Sequence, residues 1–182
     1  MNNELLSEKD LEEVHCLLFG IRRSVRYHNR RRRFFDLVSK WSDALTAISG
    51  SGTIISVVSA KSGTLSVTLA AATAILAAVN LVFDTKGNAR LHHDLARQFT
   101  NVEKNLIKKD LTRAQIDQAE ADRLDIEAGE PPVLRVLDII CHNELSKALG
   151  YGKDAEYNVT CWRAIFANFF DVLPGSIKKT SN

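Results

Sequence analysis

The sequence predicts an all-α protein: a long basic N-terminal helix, a two-helix transmembrane hairpin, and C-terminal cytosolic helices. Three observations carry that expectation. The only prolines are Pro131, Pro132 and Pro174, so nothing of that kind interrupts long helices in the first two-thirds of the chain. Two uncharged apolar stretches, 44–60 and 62–83, are separated by the single charged residue Lys61. Elsewhere apolar residues recur at helical spacing rather than in the alternation of a half-buried strand. The expected division is residues 1–36 as an amphipathic helix with an arginine-rich neck, 37–84 as the membrane hairpin, and 85–182 as a helical cytosolic region.

The first helix opens at Ser7, with Asp10 three residues on, a pattern close to a capping box. Leu11, Val14, Leu18, Ile21 and Val25 follow at helical spacing, and nothing breaks the helix through the arginines toward Trp41. Crossing a bilayer takes about 20 residues. The second apolar stretch has that length, whereas the first falls short unless Trp41 and Ser42 are counted. Trp41 suits the interfacial layer, where amphipathic rings collect. Strand-like pairs at Ile54-Ile55 and Val57-Val58 sit inside this longer apolar run. Both stretches are rich in Ala, Ser, Thr and Gly, so a hairpin buried in a soluble helical assembly is the alternative.

Past Phe83 the chain turns polar. Leu91, Leu95, Phe99, Val102 and Leu106 form a stripe that predicts a helix packed on another helix. Thr112 and Gln115 form a second capping box, opening a charged helix that ends near Gly129. Pro131-Pro132 starts the next segment. Its apolar face is Val133, Leu137, Ile140, Cys141, Leu145 and Leu149, and Gly150 closes it. A last helix carries Trp162, Ile165, Phe166, Phe169 and Leu173, and stops at Pro174-Gly175.

Net charge is only +2, but its distribution is uneven. Seven arginines fall between Arg22 and Arg33, while 110–130 is acidic. On a helix Arg22, Arg26, Arg30 and Arg33 share a face, with Arg23, Tyr27 and Arg31 beside them; His28 and Arg32 complete the cluster. Guanidinium groups match phosphate through a planar fork of donors. Anionic lipid headgroups, nucleic acid and a nucleotide are all chemically suitable, as is a plain juxtamembrane anchor. By the positive-inside rule the cluster places the N-terminus in the cytoplasm, and two spans return the C-terminus there.

Each apolar stretch carries a line of small or polar residues. The first runs Thr46, Ser49, Thr53, Ser56, Ala60, and the second Ser66, Ala70, Thr73, Ala77, Asn80. Steps of three and four keep each line on one helical face. The two lines either pack against each other within one hairpin or line a wet pore in an assembly of hairpins. Asn80 is the most polar member, suited to a gate or an interhelical bond.

Other chemistry finds no motif. Cys16, Cys141 and Cys161 are widely spaced with no CxxC pair, and read as reduced cysteines. The polar, acidic start does not resemble a signal peptide, so the Asn158-Val159-Thr160 sequon carries no weight. His92-His93-Asp94 lacks the i, i+4 spacing of a shared metal. Cys141, His142 and Glu144 lack an oxyanion motif. No catalytic residue, cofactor or metal is expected, and an enzyme is not.

Arg26-Tyr27-His28, then Arg31 and Phe34, followed directly by two apolar stretches, resemble the SLATT family of bacterial two-transmembrane effectors. Asn143-Glu144-Leu145 after Pro131-Pro132 is a further point of similarity. The resemblance implies a pore-forming effector of anti-phage defence and abortive infection. Such a protein sits in the inner membrane, forms homo-oligomers and permeabilises the bilayer when a separately encoded sensor fires. Reverse transcriptases and nucleotidyltransferases are the sensor classes implied. The alternative is a cytoplasmic helical adaptor or inhibitor, bound through its arginines to a nucleic-acid-bound polymerase or nucleotidyltransferase.

Overall fold

The computed structural model describes residues 7–58, 63–108, 110–171 and 174–180, with the backbone alone at 53–58, 65, 66, 79 and 174. The described residues are helical with no strand. Six α-helices follow in order: α1 Glu8–Val58, α2 Gly63–Phe83, α3 Thr85–Leu106, α4 Arg113–Ala128, α5 Arg135–Ala148 and α6 Cys161–Phe166. One isolated bridge joins Tyr157 to Lys179. The chain divides into two compact units. One takes the residues up to Arg30 together with those from His93 onward, and the other spans Arg31–His92.

In the first unit, the N-terminus of α1 closes its cap in both directions. The Ser7 amide donates to Asp10 Oδ2 at 2.9 Å, and the Asp10 amide donates to Ser7 Oγ at 3.2 Å. At α4 the Thr112 amide donates to Gln115 Oε1 at 2.9 Å. Two apolar clusters form the core. Leu17 and Ile21 of α1 meet Leu95, Phe99, Val102 and Leu106 of α3 and Ala119 and Ile126 of α4. Tyr27 meets Val136, Leu137 and Cys141 of α5, and Ala167. The predicted α3 stripe is therefore buried from Leu95 onward, whereas Leu91 is exposed. On α1, Leu11 is exposed and Leu17 takes a core place that the expected spacing did not assign to it.

In the second unit, α1 runs beyond Trp41 to Val58 as one helix. The Ser-Gly-Ser-Gly run at 49–52 does not break it. Ser51 Oγ donates to the Ala47 carbonyl at 2.8 Å, so its hydroxyl is satisfied on its own helix. A Cβ placed on Gly52 would stand 3.1 Å from Leu69 Cδ1, so glycine permits a close approach of α2. A second contact lies ten residues earlier on α1, where Asn80 Nδ2 donates to Ser42 Oγ at 2.6 Å. Moving from Ser42 to Gly52 along α1 thus means moving backward from Asn80 to Leu69 along α2, and the two helices run antiparallel. At Asp84 the backbone turns with φ +37, a left-handed value that Asp tolerates. Its carboxylate accepts the Gly87 amide at 3.1 Å, which starts α3.

Candidate functional site

Two regions carry the expected functional residues. In the basic segment of α1, several groups are turned toward partners within the first unit. Arg22 Nε donates to Glu103 Oε1 at 2.7 Å. Arg23 Nε lies 3.1 Å from Asp138 Oδ1, and Arg30 Nη1 2.5 Å from Glu144 Oε1. His28 is 1% exposed, stacked on Phe99 with centroids 5.7 Å apart, and its Nε2 is 3.1 Å from Glu130 Oε1. Tyr27 is buried, and its hydroxyl accepts the Leu134 amide at 3.0 Å. Residues 22–30 therefore grip the approach to α5 and its exposed face. Of Asn143-Glu144-Leu145, Glu144 pairs with Arg30, Asn143 exchanges two bonds with the Tyr157 backbone at 2.7 and 2.9 Å, and Leu145 is buried.

Within the second unit Arg31 lies over the Phe35 ring, 4.6 Å from its centroid, and Arg32 Nε is 3.5 Å from Asp36 Oδ2. Arg26 and Arg33 are exposed. The nine residues thus do not form one uniform phosphate-facing patch. Exposed ion pairs of this kind contribute about 0–1 kcal/mol each. A cavity of about 360 Å³ beside this segment is lined by Arg23, Tyr27 and His28, but also by Glu127, Glu130 and Asp138. Three carboxyl groups against one guanidinium do not suit a phosphate-rich ligand. Burial raises the Asp138 carboxyl above its usual range, although Arg23 and His142 pull it down.

Burial also pushes the Cys141 thiol up to about 12, so it stays protonated at neutral pH and supplies no thiolate. Its neighbour His142 places Nε2 3.0 Å from the Ala155 carbonyl. His92 is buried against Phe35, the rings 5.7 Å apart and nearly parallel.

The second region is the small, polar face of α1 and α2. Thr46 and Ser49 are half-buried. The side chains of Thr53, Ser56 and Ser66, and Ala60 as a whole, lie outside the described residues. Thr73 Oγ1 donates to the Leu69 carbonyl at 2.9 Å, within its own helix. Asn80 joins Ser42, as above, and accepts from Thr85 Oγ1 at 3.2 Å. Ser39, Ser42 and Thr85 are buried and were not among the expected stripe residues. The signal for two of them was present: 39, 42, 46 and 49 continue the same steps of three and four.

On α2 the faces do not divide as the small line suggested: Ala70 and Ala77 are exposed, while Leu69 and Leu76 are half-buried and Leu69 lies against Gly52. Trp41, Leu45 and Ile48 of α1 are exposed, as are Val67, Ile75, Leu81, Val82 and Phe83 of α2. At one end of this apolar zone Lys86 Nζ meets Asp43 Oδ2 at 2.9 Å. Among the described residues one helical run, Val67–Leu106, is long and apolar enough to cross a membrane. Its apolar part is the stretch of α2 from Val67 to Phe83; the whole of α2, 21 residues, spans about 31 Å. Replacing Asn80 with Ala is expected to loosen α1 from α2 by about 1 kcal/mol, the net contribution typical of one intramolecular hydrogen bond. Faster amide exchange at 39–46 and 76–83 checks this, and unchanged exchange would show the bond to be dispensable.

No family model, characterised protein or solved structure matches the chain. Fold and site together define an all-helical protein with an outward-facing apolar helix pair.

Proposed function

We propose that the chain is a membrane effector of the SLATT type. In this reading 44–58 of α1 and the whole of α2 enter the bacterial inner membrane as a hairpin, with both termini cytoplasmic. Copies assemble and permeabilise the bilayer when a separately encoded sensor, of reverse-transcriptase or nucleotidyltransferase class, is triggered. The observation that carries the reading is the inverted polarity of the second unit. Many of its bulky apolar side chains are exposed, among them Trp41, Ile48, Val67, Ile75 and Leu81, while Ser42, Asn80 and Thr85 bond to one another between and beside the helices. A water-facing surface of that size is unusual for a monomer. A hydrocarbon-facing one is expected to look this way, with hydroxyls closed onto their own helix as at Ser51, Thr68 and Thr73.

One feature favours the soluble alternative: the first uncharged stretch, 44–60, has 17 residues, fewer than the ~20 that crossing a bilayer takes. A hairpin that waits in a cytoplasmic assembly before inserting accommodates both facts. Against an adaptor held by its arginines stands the commitment of Arg22, Arg23 and Arg30 to internal carboxylates.

The test is induction in cells, with fractionation and dye exclusion read together. The expected result is recovery in the membrane fraction and dye entry on triggering. Replacing Thr53, Ser56 and Thr73 with leucine is expected to reduce dye entry while leaving insertion intact. Unchanged leakage would mean that this face serves helix packing alone. Recovery in the soluble fraction in every state, with no dye entry, would sink the effector reading.

A further inference from the structure

The C-terminal part of the first unit presents an aromatic face that the membrane hairpin does not explain. Trp162 is 72% exposed and Phe169 61%, with Ile165 and Phe170 also more than half exposed. Trp162 and Phe166 stack with centroids 6.1 Å apart and planes 6° apart, and Phe166 stacks on Phe170 at 5.5 Å. The rings form a ladder at steps of four, lying open on the surface.

The ladder is firmly seated. Ala167, on the inner side, is fully buried in the α5 cluster. The Asp171 carboxylate accepts the amides of Arg135 and Val136 at 3.0 Å each, tying the end of the segment to the start of α5. The cations around it are Arg163, Lys178 and Lys179. Arg163 donates to Ser176 Oγ at 2.5 Å. The Tyr157–Lys179 bridge returns the two exposed lysines to the approach of α6, where Lys179 Nζ lies 6.0 Å from the Tyr157 ring centroid. Asp171 is the only acidic residue after Glu156, and both its oxygens are occupied by backbone amides.

We propose that this face is a docking surface for an anionic lipid layer. Trp and Phe rings are the side chains best suited to the headgroup–acyl boundary. The cations Arg163, Lys178 and Lys179 complement phosphate headgroups; of the acids beside them, Asp171 is bonded to backbone amides and Glu156 is paired with Lys147 at 3.3 Å. An acidic protein partner would match the rim, but has less use for a ladder of bare rings. The inference does not depend on the hairpin crossing the membrane.

The chain contains two tryptophans, Trp41 and Trp162, which makes each helix separately readable. The full chain carrying Trp41→Phe is added to vesicles of phosphatidylcholine alone or mixed with phosphatidylglycerol, each with brominated acyl chains. Expected are a blue shift and bromine quenching of Trp162 in the anionic vesicles, both weakened by salt. Lys178→Ala with Lys179→Ala is expected to lower the docked-to-undocked ratio about 30-fold, at about 5-fold for each lysine. Trp162 that stays open to aqueous acrylamide in both lipid mixtures overturns the proposal. So does protection that follows protein density and ignores lipid charge, which would mean that a second copy covers the face. The companion chain with Trp162→Phe reports on α1 through Trp41. Quenching of Trp41 without quenching of Trp162 leaves the hairpin reading standing and removes this one, and the converse result does the reverse.

Discussion

Ile75→Asp is expected to move the chain out of the membrane fraction. Ile75 lies just past the middle of α2 and is 64% exposed. The consequence of an aspartate there depends on what surrounds it. At the centre of a hydrocarbon-embedded helix it costs about 3 kcal/mol on insertion scales, and more in treatments of an isolated helix. The helix has little apolarity in reserve, because Ala and Thr supply much of its length. A 3 kcal/mol penalty shifts the inserted-to-free ratio by about 150-fold. In water the same substitution on an exposed helical face changes stability by about 0.5 kcal/mol or less. Fractionation of wild type, Ile75→Asp and the conservative Ile75→Leu therefore separates the two environments. A variant aspartate chain that sediments with the membranes as wild type does would place this face in water or against protein.

The parts of this fold that were legible in the sequence are the local ones. Ser7 with Asp10 and Thr112 with Gln115 are cap pairs three residues apart, and their bonds form between near neighbours. The stripe from Leu95 to Leu106 is likewise a property of one helix. Leu11 and Leu91 fit the same periodicity but lie where no partner covers them, because periodicity marks a face without marking where the neighbour ends. Helix across 49–52 was expected, since Thr46, Ser49 and Thr53 were placed on one helical face; what was not read is that the neck and the first apolar stretch form a single helix, Glu8–Val58. Each glycine inside a helix costs about 1 kcal/mol; at Gly52 the missing side chain lets Leu69 come close, whereas a Cβ at Gly50 would meet nothing within 4 Å.

The arginine cluster shows the same limit in electrostatics. Its density was plain, but its partners were not. Glu103 lies 81 residues from Arg22, and Glu144 lies 114 from Arg30. A basic run with distant carboxylates in the same chain has the sequence signature of a phosphate-binding surface. Only the tertiary structure shows which guanidinium groups are already matched. The C-terminal segment differs again. A continuous helix through Leu173 was expected, yet α6 covers only Cys161–Phe166, and Leu173 lies outside the described residues. The rings at 162, 166 and 170 keep their alignment through the turns that follow α6, so the aromatic periodicity outlasts the helix.

Phe99→Ala is expected to loosen the whole first unit. Phe99 is fully buried among Leu17, Ile21, Leu95 and Val102. Truncating a buried phenylalanine costs about 3–5 kcal/mol through lost transfer energy and the cavity left behind. The total stability of a domain is about 5–15 kcal/mol, so this single change removes a large share. The effect also reaches the basic segment, because Phe99 is the ring on which His28 stacks. Without it His28 loses that stacking partner and keeps Glu130, next to Pro131, and the edge of the Tyr27 ring among its contacts, so the grip of α1 on the approach to α5 weakens. Amide exchange over α3, α4 and residues 17–30 is expected to accelerate by about 100-fold or more, while α2 in the other unit exchanges as before. Phe99→Leu keeps most of the volume and is expected to cost less than half as much. Equal exchange in wild type and Phe99→Ala would mean that the cluster of Leu17, Ile21, Leu95 and Val102 is stable without that ring.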